Sequence, residues 1–275
     1  MGTLFVVGTP LGNLGDLSPR ALETLQAVDF IAAEDTRVSL RLLNRFEIKK
    51  PLVSYHEHNR RESGAAILER LLGGESCALV TDAGMPAISD PGEDLVRLCR
   101  EQDVPVAVIP GASALTTALA VSGMPSGRFA FEGFLSVNAK NRKKHLDELA
   151  DEKRTIIFYE APHKLLHTLR DLLESLGDRK CALARELTKL HEEVTVTTLS
   201  EAIEKHTENP PRGEFVIIIE GAAEIEEETL SLPQAAELAK EYVKSGLSKT
   251  QAAKKAALES GLKKSEIYKC ITGAL

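Results

Sequence analysis

The chain has 275 residues, of which 43% are hydrophobic and 27% charged, and 34 basic against 41 acidic residues give a formal net charge of −7. This length fits one large domain or two modest ones, and no run of about 18 apolar residues suggests a membrane span. The apolar N-terminal stretch has no preceding basic region, so it is interpreted as a first strand and not as a signal peptide. Four widely spaced cysteines without a CxxC pair are typical of free thiols in a reducing cytoplasm.

Short apolar segments alternate with helix-like segments in the first half, which predicts a parallel sheet covered by helices. A turn rich in Gly, Pro and Ser, residues 122–127, predicts the end of this α/β domain at residue 122. The predicted strands are 3–8, 30–33, 52–55, 77–81 and 106–109, and the predicted helices are 18–27, 36–46, 62–72, 92–102 and 113–121.

A second α/β domain is predicted for residues 123–222. No helical segment separates the strands near residues 183 and 195, which predicts a mixed sheet here. The predicted strands are 129–133, 155–159, 182–185, 193–198 and 214–220, and the predicted helices are 143–151, 164–176 and 199–206.

The C-terminal part, residues 223–275, differs in charge from the rest. Four glutamates within residues 222–229 predict an exposed linker, and the segment from residue 229 onward has eight lysines against four glutamates. Three short helices are predicted at 232–245, 248–260 and 263–273, in a helix-turn-helix-like arrangement. Excess lysine in such an arrangement indicates nucleic-acid binding, and the alternative is a small helical cap whose lysines are only solvated.

Two Gly/Pro-rich turns, within residues 77–92 and 106–114, each follow a buried-looking strand. Ligands of open α/β sheets bind beyond the carboxyl ends of the strands, where small residues allow close approach to the backbone. The turn at residues 8–15 fits neither a dinucleotide fingerprint nor a phosphate loop. The pattern therefore predicts a preformed small-molecule cleft and favours an enzyme.

Polar residues follow two further strands. Glu34, Asp35 and Arg37 form a charged rim of the cleft or, alternatively, a capped helix start. His56 and Asn59 lie on a pocket edge or on a solvated loop, and metal binding is disfavoured because no cysteine or second histidine pair completes a site.

Positive charge also occurs in the second half. One basic segment follows the first strand there and neutralises phosphates at the cleft mouth or, alternatively, forms an exposed first helical turn: Lys140, Arg142, Lys143 and Lys144. Tyr159 and Arg185 are placed to stack on a flat ring, and Lys164 to contact phosphate. Because no nucleophile triad or Gly-x-Ser-x-Gly elbow is present, the sequence favours group transfer assisted by positioning over covalent catalysis.

The chain resembles the tetrapyrrole-methylase superfamily, within it the branch that 2′-O-methylates a cytidine of bacterial small-subunit ribosomal RNA. The resemblance covers residues 2–221, the C-terminal part resembles the helical domain of that branch, and the motifs that carry it are residues 9–18, 33–37, 81–86, 88–92, 110–113 and 158–163.

The resemblance implies two α/β domains with S-adenosylmethionine in the cleft between them, a cytidine in the decoding region of 16S ribosomal RNA as substrate, a cytoplasmic homodimer, and no metal. Residues implied to bind the cofactor are Pro10, Asp82, Gly84, Met85, Pro86, Ser113, Ala114, Tyr159, Ala184, Arg185, Gly213 and Glu214. By hypothesis, Glu34, Asp35, Arg37, His56 and Asn59 orient the cytidine, with one of the acids or His56 as base. Lysines expected to contact RNA in the C-terminal helices are Lys249, Lys254, Lys255, Lys263 and Lys264.

Two other functions remain open from the sequence. One is methylation of a tetrapyrrole or corrin precursor or of a protein side chain on the same fold, which the basic segments disfavour. The other is nucleic-acid binding without catalysis, which the two cleft turns disfavour.

Overall fold

The computed structural model describes residues 1–223 and 230–273. The chain forms two compact units, Met1–Ala222 and Ala223–Leu275. The boundary expected at residue 122 falls inside the first unit, between its two sheets, and stays a prediction. The acidic part of the expected linker lies outside the described residues.

The first sheet of the described chain has five strands in the order β3-β2-β4-β1-β5, and every neighbouring pair is parallel. Every residue of β2 and β4 is buried, as expected when helices cover both faces of a parallel sheet. The strands are β1 (Leu4–Val7), β2 (Phe30–Ala33), β3 (Leu52–Ser54), β4 (Cys77–Val80) and β5 (Val106–Ile109). The helices are α1 (Pro19–Ala27), α2 (Thr36–Arg45), α3 (Arg60–Leu72), α4 (Glu93–Glu101) and α5 (Ala114–Val121).

The second sheet is mixed, as predicted. Its order within the described residues is β6-β7-β10-β8-β9, and only β6 and β7 run parallel there. The strands are β6 (Phe129–Phe134), β7 (Thr155–Glu160), β8 (Lys180–Arg185), β9 (Glu193–Thr198) and β10 (Phe215–Ile219). The helices are α6 (Ala139–Glu148), α7 (Pro162–Leu176) and α8 (Leu199–Glu208).

Helix α6 begins four residues before the start that its apolar spacing predicts. Asn138 is its N-cap, and its side-chain oxygen accepts the N–H of Asn141 at 3.1 Å. An asparagine cap satisfies one of the free donors of the first turn, so the helix starts there. The basic segment therefore forms the first turns of a helix.

Helix α5 joins the two sheets of the first unit. It follows the last strand of the first sheet, and its Ala118 and Leu119 pack with Ile157 and Val216 of the second sheet. This packing brings the carboxyl ends of the first sheet's strands against the second sheet.

The C-terminal unit consists of α9 (Leu232–Lys244), α10 (Lys249–Ser260) and α11 (Lys264–Thr272). Capping boxes start α9 and α10, at Ser231 with Gln234 and at Ser248 with Gln251. The small core of this unit contains Ala235, Ala239, Ala253, Ala256 and Ile267. No helix among the described residues of either unit is long and apolar enough to cross a membrane.

Candidate active site

A cavity of about 350 Å³, called the first cavity below, lies between the carboxyl ends of the first sheet and the second sheet. This volume is within the range of small-molecule sites. One wall comes from the loops after β2, β4 and β5, and the other comes from β7, β8, β10 and their flanking residues. The sequence-predicted cofactor residues that line it are Asp82, Gly84, Met85, Ser113, Ala114, Tyr159, Ala184 and Glu214.

The base of the first cavity is a close crossing of the loops after β1, β4 and β5. Thr9 donates its N–H to the Gly84 carbonyl at 2.8 Å, and Gly84 donates its N–H to the Thr9 carbonyl at 3.1 Å. Gly84 has a φ of +86°, a conformation that glycine adopts without steric cost. A Cβ on Gly8 would lie 2.6 Å from the Cα of Gly111. Glycine is therefore required where these loops cross.

Three sequence-predicted cofactor residues lie beside the first cavity without lining it. Pro10 and Pro86 are buried in the loops after β1 and β4. Arg185 forms an ion pair with Glu193 at 3.2 Å, on the neighbouring strand. Its Nε is buried and has no hydrogen-bond partner among the described residues. The Arg185 guanidinium is therefore directed to β9 rather than to a flat ring in the cavity.

Gly213, the remaining predicted cofactor residue, makes room for Glu186. A Cβ on Gly213 would lie 2.4 Å from the Cγ of Glu186. The Glu186 carboxylate accepts the Lys189 ammonium at 2.9 Å and the Glu214 N–H at 3.2 Å. Burial alone would raise the pKa of Glu186, but these hydrogen bonds outweigh burial and lower it. The second wall thus presents a fixed carboxylate whose nearby lysine is already paired.

Tyr159 connects the second sheet to α5. Its hydroxyl oxygen accepts the Leu115 N–H at 2.9 Å, which satisfies a donor of the first turn of α5. The ring makes edge contacts with Phe131 and Phe134, at centroid distances of 4.9 and 5.6 Å. Burial raises the pKa of Tyr159, so the phenol stays neutral. The hydroxyl is occupied by the helix, and the ring lines the first cavity.

The first wall holds a polar cluster at the ends of β2 and β4. The buried Thr81 hydroxyl donates to Oε2 of Glu34 at 2.5 Å. Asp82 accepts the N–H of Asp35 at 3.2 Å. Burial, and next the charge of Glu34, raise the pKa of Asp82. Carboxylates therefore crowd this end of the cavity.

Asp90 belongs to the same cluster, although sequence reasoning did not select it. Burial is the largest cause that raises its pKa to about 7, and the charge of Glu34 is the next. Thr81 hydrogen bonds to Asp90 and opposes this rise, whereas Asp82 and Glu214 add to it. The carboxyl group therefore titrates near neutral pH.

A second cavity, of about 590 Å³, adjoins the first. Its walls are the turn after β3 and the loop before α4. Within the part of the chain that the structure describes, the two cavities share Glu34 and Asp90. Its other polar lining residues include His56, His58 and Arg60.

The turn after β3 brings His56 and Asn59 together in different roles. Asn59 accepts the His56 N–H at 2.8 Å and donates to the Ser54 carbonyl at 3.0 Å, so its side chain shapes the turn. The Nδ1 of His56 is buried and has no partner within the described ranges. Among the described residues, no three or more histidine, cysteine or acidic side chains form a group that could hold a metal ion.

Asp35 and Arg37 form a local pair at the start of α2. Asp35 is the N-cap and accepts the Arg37 N–H at 2.8 Å, while its second oxygen accepts the guanidinium at 2.6 Å. These hydrogen bonds hold the pKa of Asp35 well below its usual range. The helix-cap alternative that the sequence left open therefore describes Asp35, and the Arg37 side chain is 86% exposed.

Comparison with known proteins assigns the chain to a family. The family model of the tetrapyrrole (corrin/porphyrin) methylases matches residues 3–203. The chain belongs to this family.

Several relatives of this methylase carry the name "Ribosomal RNA small subunit methyltransferase I". The relative from Synechocystis sp. is 48% identical over a match that covers 98% of this chain and 96% of the relative. The relative from Thermotoga maritima is 50% identical over a match that covers 80% of this chain and 99% of the relative. About a fifth of this methylase thus has no counterpart in the Thermotoga protein, a length close to that of the C-terminal unit.

The fold also matches solved structures of the family. One is uroporphyrin-III C-methyltransferase from Thermus thermophilus in complex with S-adenosylhomocysteine, with a TM-score of 0.56 and 20% identity. The match covers 79% of this methylase and 97% of that chain. It confirms the predicted fold.

The basic side chains predicted to contact phosphate in the second half of the methylase differ in exposure and in ion pairing. Arg142 is largely buried and pairs with Asp171 at 2.6 Å. Lys143 and Lys144 are exposed and pair with acids one turn onward on α6. Lys140 is exposed, and Lys164 is half-buried in the first turn of α7.

The lysines predicted to contact RNA in the C-terminal unit are all exposed. Lys255 lies 4.1 Å above the ring centroid of Tyr242, a cation–π contact. The others form no ion pair within the described part of the chain: Lys249, Lys254, Lys263 and Lys264. The nearby Lys240 is instead paired with Glu237 at 2.6 Å.

Several residues that line the first cavity are not among those predicted from the sequence. They are Leu11, Thr81, Ile88, Asp90, Phe134, Glu160, Glu186, Leu187 and Lys189, with others of the two walls. Most lie in or next to the motifs that follow strands, so polar residues close after a strand end are a usable signal for Thr81, Glu186 and Lys189, whereas Asp90 lies ten residues beyond β4.

Proposed function

We propose that this chain transfers the methyl group of S-adenosylmethionine to the 2′-oxygen of a cytidine ribose in the decoding region of small-subunit ribosomal RNA. The chain is a methyltransferase, and S-adenosylmethionine is its methyl donor. The observation that carries the substrate class is that a relative 48% identical over nearly its whole length is named as a methyltransferase of small-subunit ribosomal RNA.

The charge of the first cavity fits this donor. Its walls present a single lysine among the described residues against several carboxylates: Glu34, Asp82, Asp90, Glu186 and Glu214. S-adenosylmethionine carries a sulfonium and an ammonium group against one carboxylate, so its net charge is positive. Opposite charge in a partly buried site favours binding.

Other groups of the first cavity fit the remaining parts of the donor. The rings of Tyr159 and Phe134 offer faces and edges for a flat base. Ser113 is the N-cap of α5 and makes no side-chain capping bond; its hydroxyl, which hydrogen bonds to Tyr159, and the positive end of the helix suit the methionine carboxylate.

We infer that the second cavity receives the cytidine. Its size admits a nucleotide, and it joins the first cavity at Glu34 and Asp90, where donor and acceptor would meet. His56 lines this cavity, which supports a contact of its ring with the base or ribose. Asn59 then acts by shaping the turn of His56, and Asp35 and Arg37 act by fixing the start of α2.

Methyl transfer from a sulfonium requires few contributions from the protein. The bound donor supplies an activated methyl group on a sulfonium. The chain's own residues must hold the ribose oxygen in line with that methyl group, keep competing water out, and accept the proton of the hydroxyl.

Phosphates must be bound away from the acidic cavity, because the cavity repels them. We propose that the exposed lysines of the C-terminal unit supply this contact. The Thermotoga relative carries the name of a methyltransferase although its match leaves out a fifth of this chain, which supports a role of the remaining length in affinity rather than in the chemical step. We also propose that the enzyme is a cytoplasmic homodimer.

The acidic walls disfavour the alternative of a tetrapyrrole substrate, since tetrapyrrole precursors carry several carboxylates of their own. The test is transfer from labelled S-adenosylmethionine to small subunits that lack the modification, followed by nucleoside mapping. Label in a cytidine ribose is the expected result. Tight donor binding without label in the subunits would contradict an RNA substrate and favour a protein or tetrapyrrole acceptor.

A further inference from the structure

We propose that the carboxylate of Asp90 accepts the proton of the ribose hydroxyl during methyl transfer, an inference that rests on the proposed function. Within the described residues, Asp90 and Glu34 line both cavities. A methyl donor in the first cavity and a nucleoside in the second would meet at these two carboxylates. The proton acceptor must lie within hydrogen-bond reach of that meeting point.

Glu34 and Asp90 differ in how strongly the Thr81 hydroxyl holds them. The Thr81 hydroxyl lies within reach of both carboxylates but has one proton to donate, and it donates to Glu34 at 2.5 Å. Asp90 shares the same hydroxyl, but a carboxylate has two oxygens, so Asp90 keeps an oxygen that can accept the proton of another hydroxyl. His56 lines the second cavity alone, which suits substrate contact better than proton transfer at the boundary.

The loop that carries Asp90 has a strained backbone. Ala87 and Ser89 have φ of +67° and +61°, which side chains other than glycine rarely adopt. Gly92 has a φ of +145°, and a Cβ there would lie 2.9 Å from the Cδ2 of Leu79. Strain of this kind persists where the surrounding structure fixes a functional geometry. The loop therefore holds Asp90 at the boundary of the two cavities.

Charged groups from several elements surround Asp90. The carboxylates that raise its pKa come from the end of β2, the end of β4 and the residue before β10: Glu34, Asp82 and Glu214. The second cavity adds further titratable groups: His56, Glu57, His58, Arg60, Glu93 and Asp94. With a pKa near 7, the group is poised for proton transfer at neutral pH. A positive charge in the first cavity would lower that pKa and favour the carboxylate.

The step balances in atoms and charge. A lone pair of the 2′-oxygen forms the new bond to the methyl carbon, and the carbon–sulfur bond breaks with its electron pair going to sulfur. The hydroxyl proton moves to an oxygen of Asp90, which becomes a neutral acid and later releases the proton to water. The sulfonium charge and the Asp90 charge thus disappear together, so the cavity gains no net charge.

The first test measures thermal unfolding of the full chain and of Asp90→Asn at pH 5 and pH 8. A raised pKa means that the folded protein holds this proton more tightly than the unfolded chain, so wild-type stability falls as pH rises from about 4 to about 7. Asparagine does not ionise, so Asp90→Asn does not lose stability in this way as pH rises. We expect the melting temperature of Asp90→Asn to exceed that of wild type by more at pH 8 than at pH 5. An equal difference at both pH values would overturn the inference.

The second test measures single-turnover methylation of small subunits together with S-adenosylhomocysteine binding. We expect Asp90→Asn to bind S-adenosylhomocysteine within a few-fold of wild type and to lose about 10²–10⁴-fold in rate. The wild-type rate should rise with pH to a plateau, and the variant should lose that dependence. Glu101→Gln, an exposed carboxylate at the end of α4, is the matched control and should behave as wild type.

The outcomes separate the two proposals. Wild-type methylation of cytidine with an unchanged rate or pH profile in Asp90→Asn would overturn the role of Asp90 and leave the proposed function standing. Absence of wild-type transfer to small subunits would overturn the proposed function and this inference with it.

Discussion

Replacing Gly8 with alanine tests how closely the loops beneath the first cavity are packed. The added Cβ would lie 2.6 Å from the Cα of Gly111 and 2.7 Å from both its nitrogen and the Sδ of Met85. The Met85 side chain can turn aside, but the Gly111 backbone cannot. The Gly8 N–H also donates to the Ile109 carbonyl at 3.0 Å, which ties Gly8 to β5. The two backbones must therefore separate.

The size of that separation sets the expected loss. Carbon atoms pack at about 3.5–4.0 Å, so the loops must move apart by roughly 1 Å. Overpacking of this kind costs about 1–3 kcal/mol. In a unit of 222 residues, about 2 kcal/mol lowers the melting temperature by roughly 4–8 °C. Because Met85 lines the first cavity, affinity for S-adenosylhomocysteine should fall as well.

The assay is scanning calorimetry combined with titration of S-adenosylhomocysteine. The control is Gly127→Ala, since a Cβ on Gly127 meets nothing within 4 Å and its φ is not in the left-handed region. An unchanged melting temperature and unchanged affinity for Gly8→Ala would refute the reasoning that this crossing is incompressible.

Three further substitutions test separate contacts. Thr81→Val leaves Glu34 without its donor, and we expect about 1.5–3 kcal/mol less stability in denaturant unfolding. Tyr159→Phe removes the acceptor of the Leu115 N–H, and we expect about 1 kcal/mol less stability and weaker S-adenosylhomocysteine binding in calorimetric titration. Combined alanine substitution of the unpaired C-terminal lysines should weaken binding to small subunits and reduce its salt dependence, whereas Lys240→Ala should change neither. Those lysines are Lys249, Lys254, Lys263 and Lys264.

Matched substitutions make these tests decisive. Thr116→Val removes an exposed hydroxyl of α5, and Tyr268→Phe removes an exposed hydroxyl of α11, so neither should change stability appreciably. Losses as large in these controls as in Thr81→Val and Tyr159→Phe would contradict the roles of the two buried contacts. An unchanged salt dependence in the lysine variant would contradict phosphate binding by the C-terminal unit.

The sheets could be predicted from the sequence because their signals are local. Alternation of apolar strands with helices predicts the parallel first sheet, and the missing helix between the strands near residues 183 and 195 predicts the mixed second sheet, in which β8 and β9 are antiparallel. The apolar spacing predicts too late a start for α6, because it gives no signal before Leu146. Its start depends on the cap at Asn138, which a period of apolar residues cannot reveal.

The site was less predictable because its residues act through distant partners. Asp90 lies in a recognised motif, but its place between two cavities depends on a loop with unusual backbone angles and on β2. Asn59 and His56 stand together in the sequence, yet the asparagine side chain closes a turn while the histidine faces a cavity. Spacing alone does not separate these roles.

Charge explains why one protein can bind both a cationic donor and a polyanionic substrate. The first cavity concentrates carboxylates, which favour the positive donor and disfavour phosphate. Transfer of the methyl group removes the sulfonium charge, so the product loses the attraction that the donor had. The exposed lysines of the C-terminal unit do not line this cavity, and they are proposed to bind the phosphates of the substrate in its place. The acidic cavity and the basic helices can therefore act in one enzyme. Removal of the cavity carboxylates is expected to weaken binding of the donor, and removal of the lysines is expected to weaken binding of the RNA.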